Sequence, residues 1–344
     1  MDKFTDDETS IIQNSLSSHG YDLKEKIGRG GFGAVFVVNS RKYHEDFACK
    51  IMSLYDDNGD LSNVSDSEIE ALMGLSHPNI ISLYASFRDE KFLYIVFEYC
   101  PGGNLRKYIK KNGAISGQKL FSLTRFILLA LNHCHNKNIA HRDIKPDNIL
   151  IDKYGRPRLA DFGISQIMNT CLEPIRGAGS LPYMAPETQN PAVQFDLKKA
   201  DIWSLGITLY YASVGHLPWQ TDNYSDMKRA VMLGMITFPP KMNSKFHKLL
   251  RRMLVVNPSK RASVEMLLDD IIFSPQHLPL EKYSSTVFVD YCHVKIDHPK
   301  INVATRRGSL NSKMVNNTLF HKSKGSKVIQ SILLKETFDI KSVE

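Results

Sequence analysis

From Tyr21 to Phe97 the chain sets short runs of apolar and β-branched residues between polar breaks, the pattern of half-buried strands. YDLKEKIG and AVFVV flank a glycine cluster, FACKIM follows, and ISLYASF and FLYIVFEY complete the series. Among these runs, SEIEALMGL places Ile69, Leu72, Met73 and Leu75 at helical spacing, which predicts a single helix inserted between strands. PGG at 101–103 then breaks the chain and predicts a hinge near 98–103. Beyond it the period changes. KLFSLTRFILLALNHCHNKN and ADIWSLGITLYYASVG read as long buried helices, and 244–272 carries more helical pattern, with Pro258 between two pieces.

Residues 1–20 are polar, rich in Ser and Asp, and are expected to form a flexible segment. After Phe273 the composition turns to a Lys/Ser/Asn-rich stretch with little periodicity, so 274–344 is expected to be a basic tail, mostly disordered or weakly helical. No internal repeat interrupts this plan. The expected fold is α+β: a small antiparallel β-rich lobe with one helix, then a larger, mainly helical lobe, together 21–273.

With 42% apolar and 23% charged residues, the 344-residue chain has the balance of a soluble protein with a buried core. A net charge of +8 points to an anionic partner. No recognition helix, zinc-ligand set or stacking-aromatic signature accompanies it, so nucleic acid is not expected, and ATP or an acidic protein surface would satisfy the same charge. The five cysteines (Cys49, Cys100, Cys134, Cys171, Cys292) are scattered and include no C-x-x-C pair. That argues for a reducing compartment rather than a disulfide framework or a structural zinc. MDKFTDDETS is unlike a signal or transit peptide, and Asp2 stands where myristoylation needs glycine. No apolar run approaches the roughly 18 residues of a membrane span. A cytoplasmic or nuclear location, away from membranes, is expected.

Gly28-x-Gly30-x-x-Gly33 is a weak signal alone, because dinucleotide-binding folds carry it too. There the glycines open a helix; here AVFVV continues as a strand, which places them in a hairpin. A glycine hairpin lets backbone N–H groups approach phosphate oxygens, though an ordinary glycine-rich turn has the same sequence. Lys50, on the next strand, could bring an ammonium to phosphate, and Glu68, in the following helix, could pair with it, although most such pairs are surface ion pairs. HRDIKPDN at 141–148, DFG at 161–163 and APE at 185–187 then follow in fixed order.

With this series the sequence resembles the eukaryotic protein kinase family over about residues 21–273. DIWSLG at 201–206 and Arg261, which in the family pairs with the APE glutamate (here Glu187), extend the likeness. The resemblance implies a two-lobed kinase fold using ATP and Mg²⁺ to phosphorylate protein substrates. It makes Asp143 the group that accepts or orients the hydroxyl proton, Lys145 a contact of the γ-phosphate, and Asn148 and Asp161 the magnesium ligands. Lys50, paired with Glu68, would hold the α- and β-phosphates. Ile27, Gly28, Gly30, Gly31, Gly33, Val35, Ala48, Glu98, Cys100 and Leu150 would form the nucleotide site, with Phe97 as gatekeeper. Leu72, Leu83, Phe162 and His141 match a regulatory stack anchored by Asp201. Lys145 and Ser180, the latter at the family's Gly-Thr position, imply serine/threonine specificity.

Within the family, GSLPYMAPE and GHLPW look similar to calmodulin-dependent and checkpoint-type kinases. Basic-directed members carry Glu at the positions of Asn104 and Tyr211, which leaves Asp147 as the remaining acid of three and implies modest selection for arginine. RRGSL at 306–310 resembles a basic-directed phosphorylation site at Ser309, a short match of a kind common in Lys/Ser-rich tails. SKVIQSILLKETF reads as a terminal helix docked on the α lobe or as a basic amphipathic segment similar to a calmodulin target. Arg142 in the family docks a phosphorylated loop residue, but that position here is Arg176. Glu173 or a phosphorylated Thr170 are the alternatives for neutralising it, and activity without loop phosphorylation is expected. A pseudokinase would have lost part of the set Lys50, Glu68, Asp143, Asn148 and Asp161, and all five are present. A monomeric, active serine/threonine kinase is the expectation.

Overall fold

The computed structural model describes residues 4–30, 33–55, 69, 74–161, 181–189, 195–219, 221 and 223–273. Glu68, Leu72, Met73, Gly31, Phe162, Thr170, Glu173, Arg176, Ser180 and the whole segment 274–344, with Ser309, lie outside them. Strands β1 (Tyr21–Gly30), β2 (Gly33–Ser40), β3 (Asp46–Ser53), β4 (Leu83–Arg88) and β5 (Phe92–Glu98) form a sheet in the order β1-β2-β3-β5-β4, antiparallel throughout. Alternation along β3 divides its side chains between a buried face and a half-buried one. Ala48, Lys50 and Met52 share one face with Val35, Ile95 and Phe97, their register partners or neighbours across β2 and β5. Cys49 and Ile51 face the other way, into a cluster with Val38, Phe47, Tyr94 and Val96.

That second face is closed by helix α1 (Asp6–Ser18), which corrects the expectation of a flexible segment at 1–20. Its N-terminus is a capping box: the Thr5 hydroxyl accepts from the Glu8 N–H, and the Glu8 carboxylate accepts from the Thr5 N–H at 2.8 Å. Asp6, Asp7 and Glu8 put negative charge in the first turn, where the helix dipole favours it. Ile12 and Leu16, four apart on one stripe, are completely covered by the sheet's aromatic and aliphatic residues. His19 stacks on Phe87 at 3.8 Å, and Arg41 ties Ser17 to Asp22, so both ends of the exit turn are held. Few apolar residues suffice for α1 because the sheet supplies the rest of the apolar surface.

The expected helix between β3 and β4 is represented among the described residues by Ile69, helical and buried on the Met52/Leu93/Ile95 face. Leu75 falls beyond the turn at Gly74 and packs in the helical lobe instead. That lobe comprises α2 (Leu105–Asn112), α3 (Gly117–Asn136), the hairpin β6 (Ile149–Ile151) and β7 (Pro157–Leu159), then α4 (Leu197–Val214), α5 (Tyr224–Leu233), α6 (Ser244–Met253) and α7 (Val264–Leu268). Every residue of α4 from Ala200 to Ala212 is buried, as befits a helix apolar on all sides. It packs against Leu123, Ile127 and Leu131 of α3 and against Phe246, Leu250 and Met253 of α6. Gly206 permits the closest approach: a Cβ there would lie 2.7 Å from Leu254 Cδ2.

Between the sheet and the helices, the chain from Glu98 to Gly103 lies along β6. Gly102 donates to the Ile151 carbonyl at 3.0 Å, and Ile151 donates back to Gly103 at 2.8 Å. A Cβ on Gly102 would sit 2.7 Å from that carbonyl oxygen, so only glycine fits. Ile81 and Asn79, just ahead of β4, bond the backbone of Leu159 in β7. Four backbone bonds thus tie the hinge and the β4 approach to the hairpin that carries the catalytic loop.

Candidate active site

The candidate residues converge where the sheet meets β6 and β7. Lys50 sits mid-strand in β3, flanked in register by Val35 and Ile95, which holds its stem on the sheet's inner face. Its ammonium lies 2.6 Å from Asp161 Oδ1, a contact between residues 111 positions apart. Asp161 lies two residues beyond β7, and the Ala160 N–H is held by the Asn148 carbonyl at 2.9 Å. Desolvation opposes charge on Asp161, but Lys50, with Lys145 behind it, outweighs that and keeps the carboxyl below its ordinary value. The group is ready as a hard anionic ligand.

HRDIKPDN forms a tight loop around Asp143. Lys145 Nζ lies 2.7 Å from Asp143 Oδ2, and Asn148 Nδ2 donates to the same oxygen at 2.9 Å and to the Asp143 carbonyl at 2.8 Å. Pro146–Asn148 makes a single 3-10 turn, which brings residue 148 back over residue 143. Asn148 directs its amide nitrogen to Asp143, so its oxygen is the group it can offer a cation. An amide oxygen and a carboxylate, from Asn148 and Asp161, are the hard oxygen donors magnesium prefers.

The loop is hung from α4. Asp201 accepts from the backbone N–H of His141 and of Arg142, both at 2.7 Å, and His135 Nε2 lies 2.9 Å from it. Arg142 needs this support, since its φ of 70° is in the left-handed region, and Asp161 shares that feature with φ 62°. His141 is fully buried; its Nε2 lies 2.9 Å from the Ala160 carbonyl and its Nδ1 accepts from the Asp143 N–H, which places the proton on Nε2. Burial lowers its pKa and keeps the ring neutral. His141 is linked to Asp201 as the expected stack requires; Leu83 packs, partly buried, with Met52, Ile69, Leu93 and Ile95, and Leu72 and Phe162 lie outside the described residues.

Of the expected nucleotide-site residues, Val35 and Ala48 share the inner face with Lys50, while Phe97 and Leu150 pack with Ile81, Cys100 and Ala160. In the glycine hairpin Gly28 pairs with Val35 and Gly30 with Gly33, and Ile27 is exposed beside them. Gly33 has a packing reason of its own: a Cβ would stand 2.1 Å from the Ile51 carbonyl oxygen. Glu98 directs its carboxylate to Arg158 at 3.0 Å, and Arg158 also meets Asp152 and the Pro78 carbonyl. Burial dominates at Glu98 and, with Asp152, raises its pKa against the pull of Arg158. Burial likewise pushes the Cys100 thiol up, so that side chain is an uncharged wall.

Farther out, Glu187 and Arg261 form the expected pair, with two contacts at 2.6 and 2.9 Å, and Arg261 stacks on Trp203. Asn104 caps α2, accepting from the Lys107 N–H at 2.9 Å, and Tyr211 is buried in α4. Asp147 is bound by Arg106, whose Nε lies 2.9 and 2.8 Å from its two carboxylate oxygens. Arg106 and His135 both escaped the sequence reading. His135 could have been sought as a buried histidine in the last turn of a long apolar helix; for Arg106 no local signal exists.

Among proteins of known family, the profile described as "Protein kinase domain" matches residues 21–273. A probable serine/threonine-protein kinase of Dictyostelium discoideum is 29% identical over 327 residues, covering 91% of this chain and 38% of that protein. Aurora/IPL1-related protein kinase 2 of Caenorhabditis briggsae is 32% identical over 261 residues, covering 74% of this chain and 83% of the relative. Sperm motility kinase 3A of Mus musculus is 31% identical over 244 residues, 71% of this chain and 48% of that protein. The chain thus spans well under two thirds of the Dictyostelium and mouse relatives.

Proposed function

The chain belongs to the protein kinase family, and from that premise we propose that it is an active serine/threonine kinase, transferring the γ-phosphoryl group of ATP to hydroxyls of protein substrates. The observation that carries the proposal is the convergence of Lys50 on Asp161 at 2.6 Å beside the Asp143–Lys145–Asn148 cluster. Family membership implies ATP as donor and protein as acceptor.

Phosphoryl transfer has a loose transition state, so the protein's task is positioning and charge neutralisation. In this reading Asp143 orients the incoming hydroxyl and takes its proton, while Lys145, held beside it, faces the γ-phosphate. Asn148 and Asp161 would hold Mg²⁺, which neutralises phosphate charge when bound. Lys50, aligned with the help of Glu68, would hold the α- and β-phosphates, beneath the hairpin from Gly28 to Gly33. Val35, Ala48 and Leu150 would enclose adenine, with hinge contacts from the backbone of Glu98 and Cys100, since the Glu98 side chain is engaged with Arg158. The enzyme would work as a monomer in a reducing compartment, cytoplasmic or nuclear, without nucleic acid or membrane. The free, buried thiols of Cys49, Cys100 and Cys134 support the compartment, and no helix among the described residues is long and apolar enough to cross a membrane.

Incubating the full chain with labelled ATP and a generic Ser/Thr protein tests the proposal. Label should enter the protein with Mg²⁺ and not without it. Asp143→Asn should lower kcat by roughly 10²–10⁴-fold and leave ATP affinity unchanged, because Asp143 acts on the acceptor. Absence of transfer by the wild-type chain, or collapse of ATP binding in Asp143→Asn, would overturn the assignment.

A further inference from the structure

Arg106 occupies a place where a substrate's own cation would be expected. Asp147 stands four residues after Asp143, in the 3-10 turn Pro146–Asn148, and its side chain is 36% exposed. An extended peptide advances roughly 3.3 Å per residue. Asn148 bonds Asp143 at 2.8 and 2.9 Å, so Asp147, its neighbour in the turn, stands beside a hydroxyl at Asp143, within the span of two or three extended residues. An open carboxylate there would select arginine through a charge-assisted bond.

Here the carboxylate is already taken. Arg106 bonds both its oxygens through Nε, donates from Nη2 to the Tyr183 hydroxyl at 2.8 Å, and lies over the Tyr211 ring at 5.1 Å. The two tyrosines are buried, one in the segment after the activation loop and one in α4, so the seat is rigid. Asn104, capping α2, fixes the first turn from which Arg106 projects. An incoming arginine would have to displace a cation tethered in the same molecule, whose effective concentration is far above any substrate's. The next residues along α2, Lys107, Lys110 and Lys111, are exposed and add positive charge to this side.

We propose that Arg106 is a specificity-determining residue that fills the Asp147 subsite from within. The enzyme then takes protein substrates with a neutral or acidic residue two or three positions from the target hydroxyl and gains nothing from arginine there. The inference rests on the kinase reading and deepens it.

The test uses peptides with one serine that carry Arg, Ala or Glu at each position within three of it. The full-length wild type, Arg106→Ala, Arg106→Gln (which keeps the aliphatic packing) and the double variant Arg106→Ala/Asp147→Asn are compared. Two readouts are taken: kcat/KM with Mg²⁺ and ATP, and fluorescence anisotropy of peptide binding. Wild type should use Arg peptides within about threefold of Ala peptides and Glu peptides at least as well. Both single variants should gain about tenfold or more for Arg at one position, the usual worth of a charge-assisted bond, and Asp147→Asn should abolish the gain. A tenfold wild-type preference for Arg, or single variants with the wild-type profile, would overturn the inference while leaving the kinase reading intact. Absence of turnover on every peptide would overturn the kinase reading instead. The anisotropy series then decides the subsite: Arg-peptide binding gained in both single variants and lost in the double variant supports it, and equal binding refutes it.

Discussion

Asp201→Asn should unfold the catalytic loop's support while barely changing the shape of the side chain. Asp201 is 1% exposed and receives three contacts: the His141 N–H and the Arg142 N–H at 2.7 Å each, and His135 Nε2 at 2.9 Å. An amide replaces one accepting oxygen with an N–H₂ group, so in either orientation at least one buried backbone donor meets another donor. Losing a hydrogen bond to a charged acceptor costs about 1.5–3 kcal/mol, and stranding its partner adds about 1–3. A loss of about 3–5 kcal/mol is expected, the range for breaking a buried charged contact. In a domain of this size that corresponds to a fall in Tm of roughly 6–20 °C. The damage is aimed at function because Arg142, held at φ 70° by one of these bonds, immediately precedes Asp143. A displacement of about 1 Å at the reacting group is enough for a loss of order 10²-fold in kcat. Calorimetry and phosphoryl-transfer assays on the same preparation give both quantities. A Tm within about 3 °C of wild type, together with kcat within threefold, would refute the view that Asp201 suspends the loop.

Leu16→Ala, at a position wholly covered by the sheet, should destabilise the protein by about 2–5 kcal/mol in urea titrations; a loss below about 1 kcal/mol would mean that α1 is not docked. Burial, with His133 and Arg158 nearby, holds the His77 pKa down to about 4 from an ordinary 6.5, and its Nδ1 accepts from the Asn79 N–H. A depressed histidine favours the folded state above its unfolded pKa and loses that contribution as pH falls towards the folded one, here between 6.5 and 4. That part of acid destabilisation, at most about 3 kcal/mol and less once the partly exposed ring is screened by water, should flatten in His77→Gln, measured by urea unfolding at each pH; an unchanged profile would remove His77 as its source.

Much of the site could be read along the chain because its geometry is local. HRDIKPDN closes on itself within eight residues, so Asp143, Lys145 and Asn148 meet whatever surrounds them. Strand alternation puts Lys50 on one face with Ala48 two residues away, whereas Val35 joins them only through the register that pairs β2 with β3. The Lys50–Asp161 contact was not expected: the sequence paired Lys50 with Glu68, and nothing in either segment specifies a partner 111 residues away. Helix α1 had its capping box in plain view at Thr5 and Glu8, yet its few apolar residues form a stable helix only when the sheet covers Ile12 and Leu16. Arg106 marks the limit most clearly. In LRKYIKKN it is one cation among four, with the same local chemistry as its neighbours. Tertiary packing alone brings Asp147 and Tyr183 to it, across 41 and 77 residues of chain, and leaves Lys107, Lys110 and Lys111 in solvent. Short-range spacing governs which groups can share a face or a turn; the partner of a long, charged side chain depends on which distant surface the fold delivers to it.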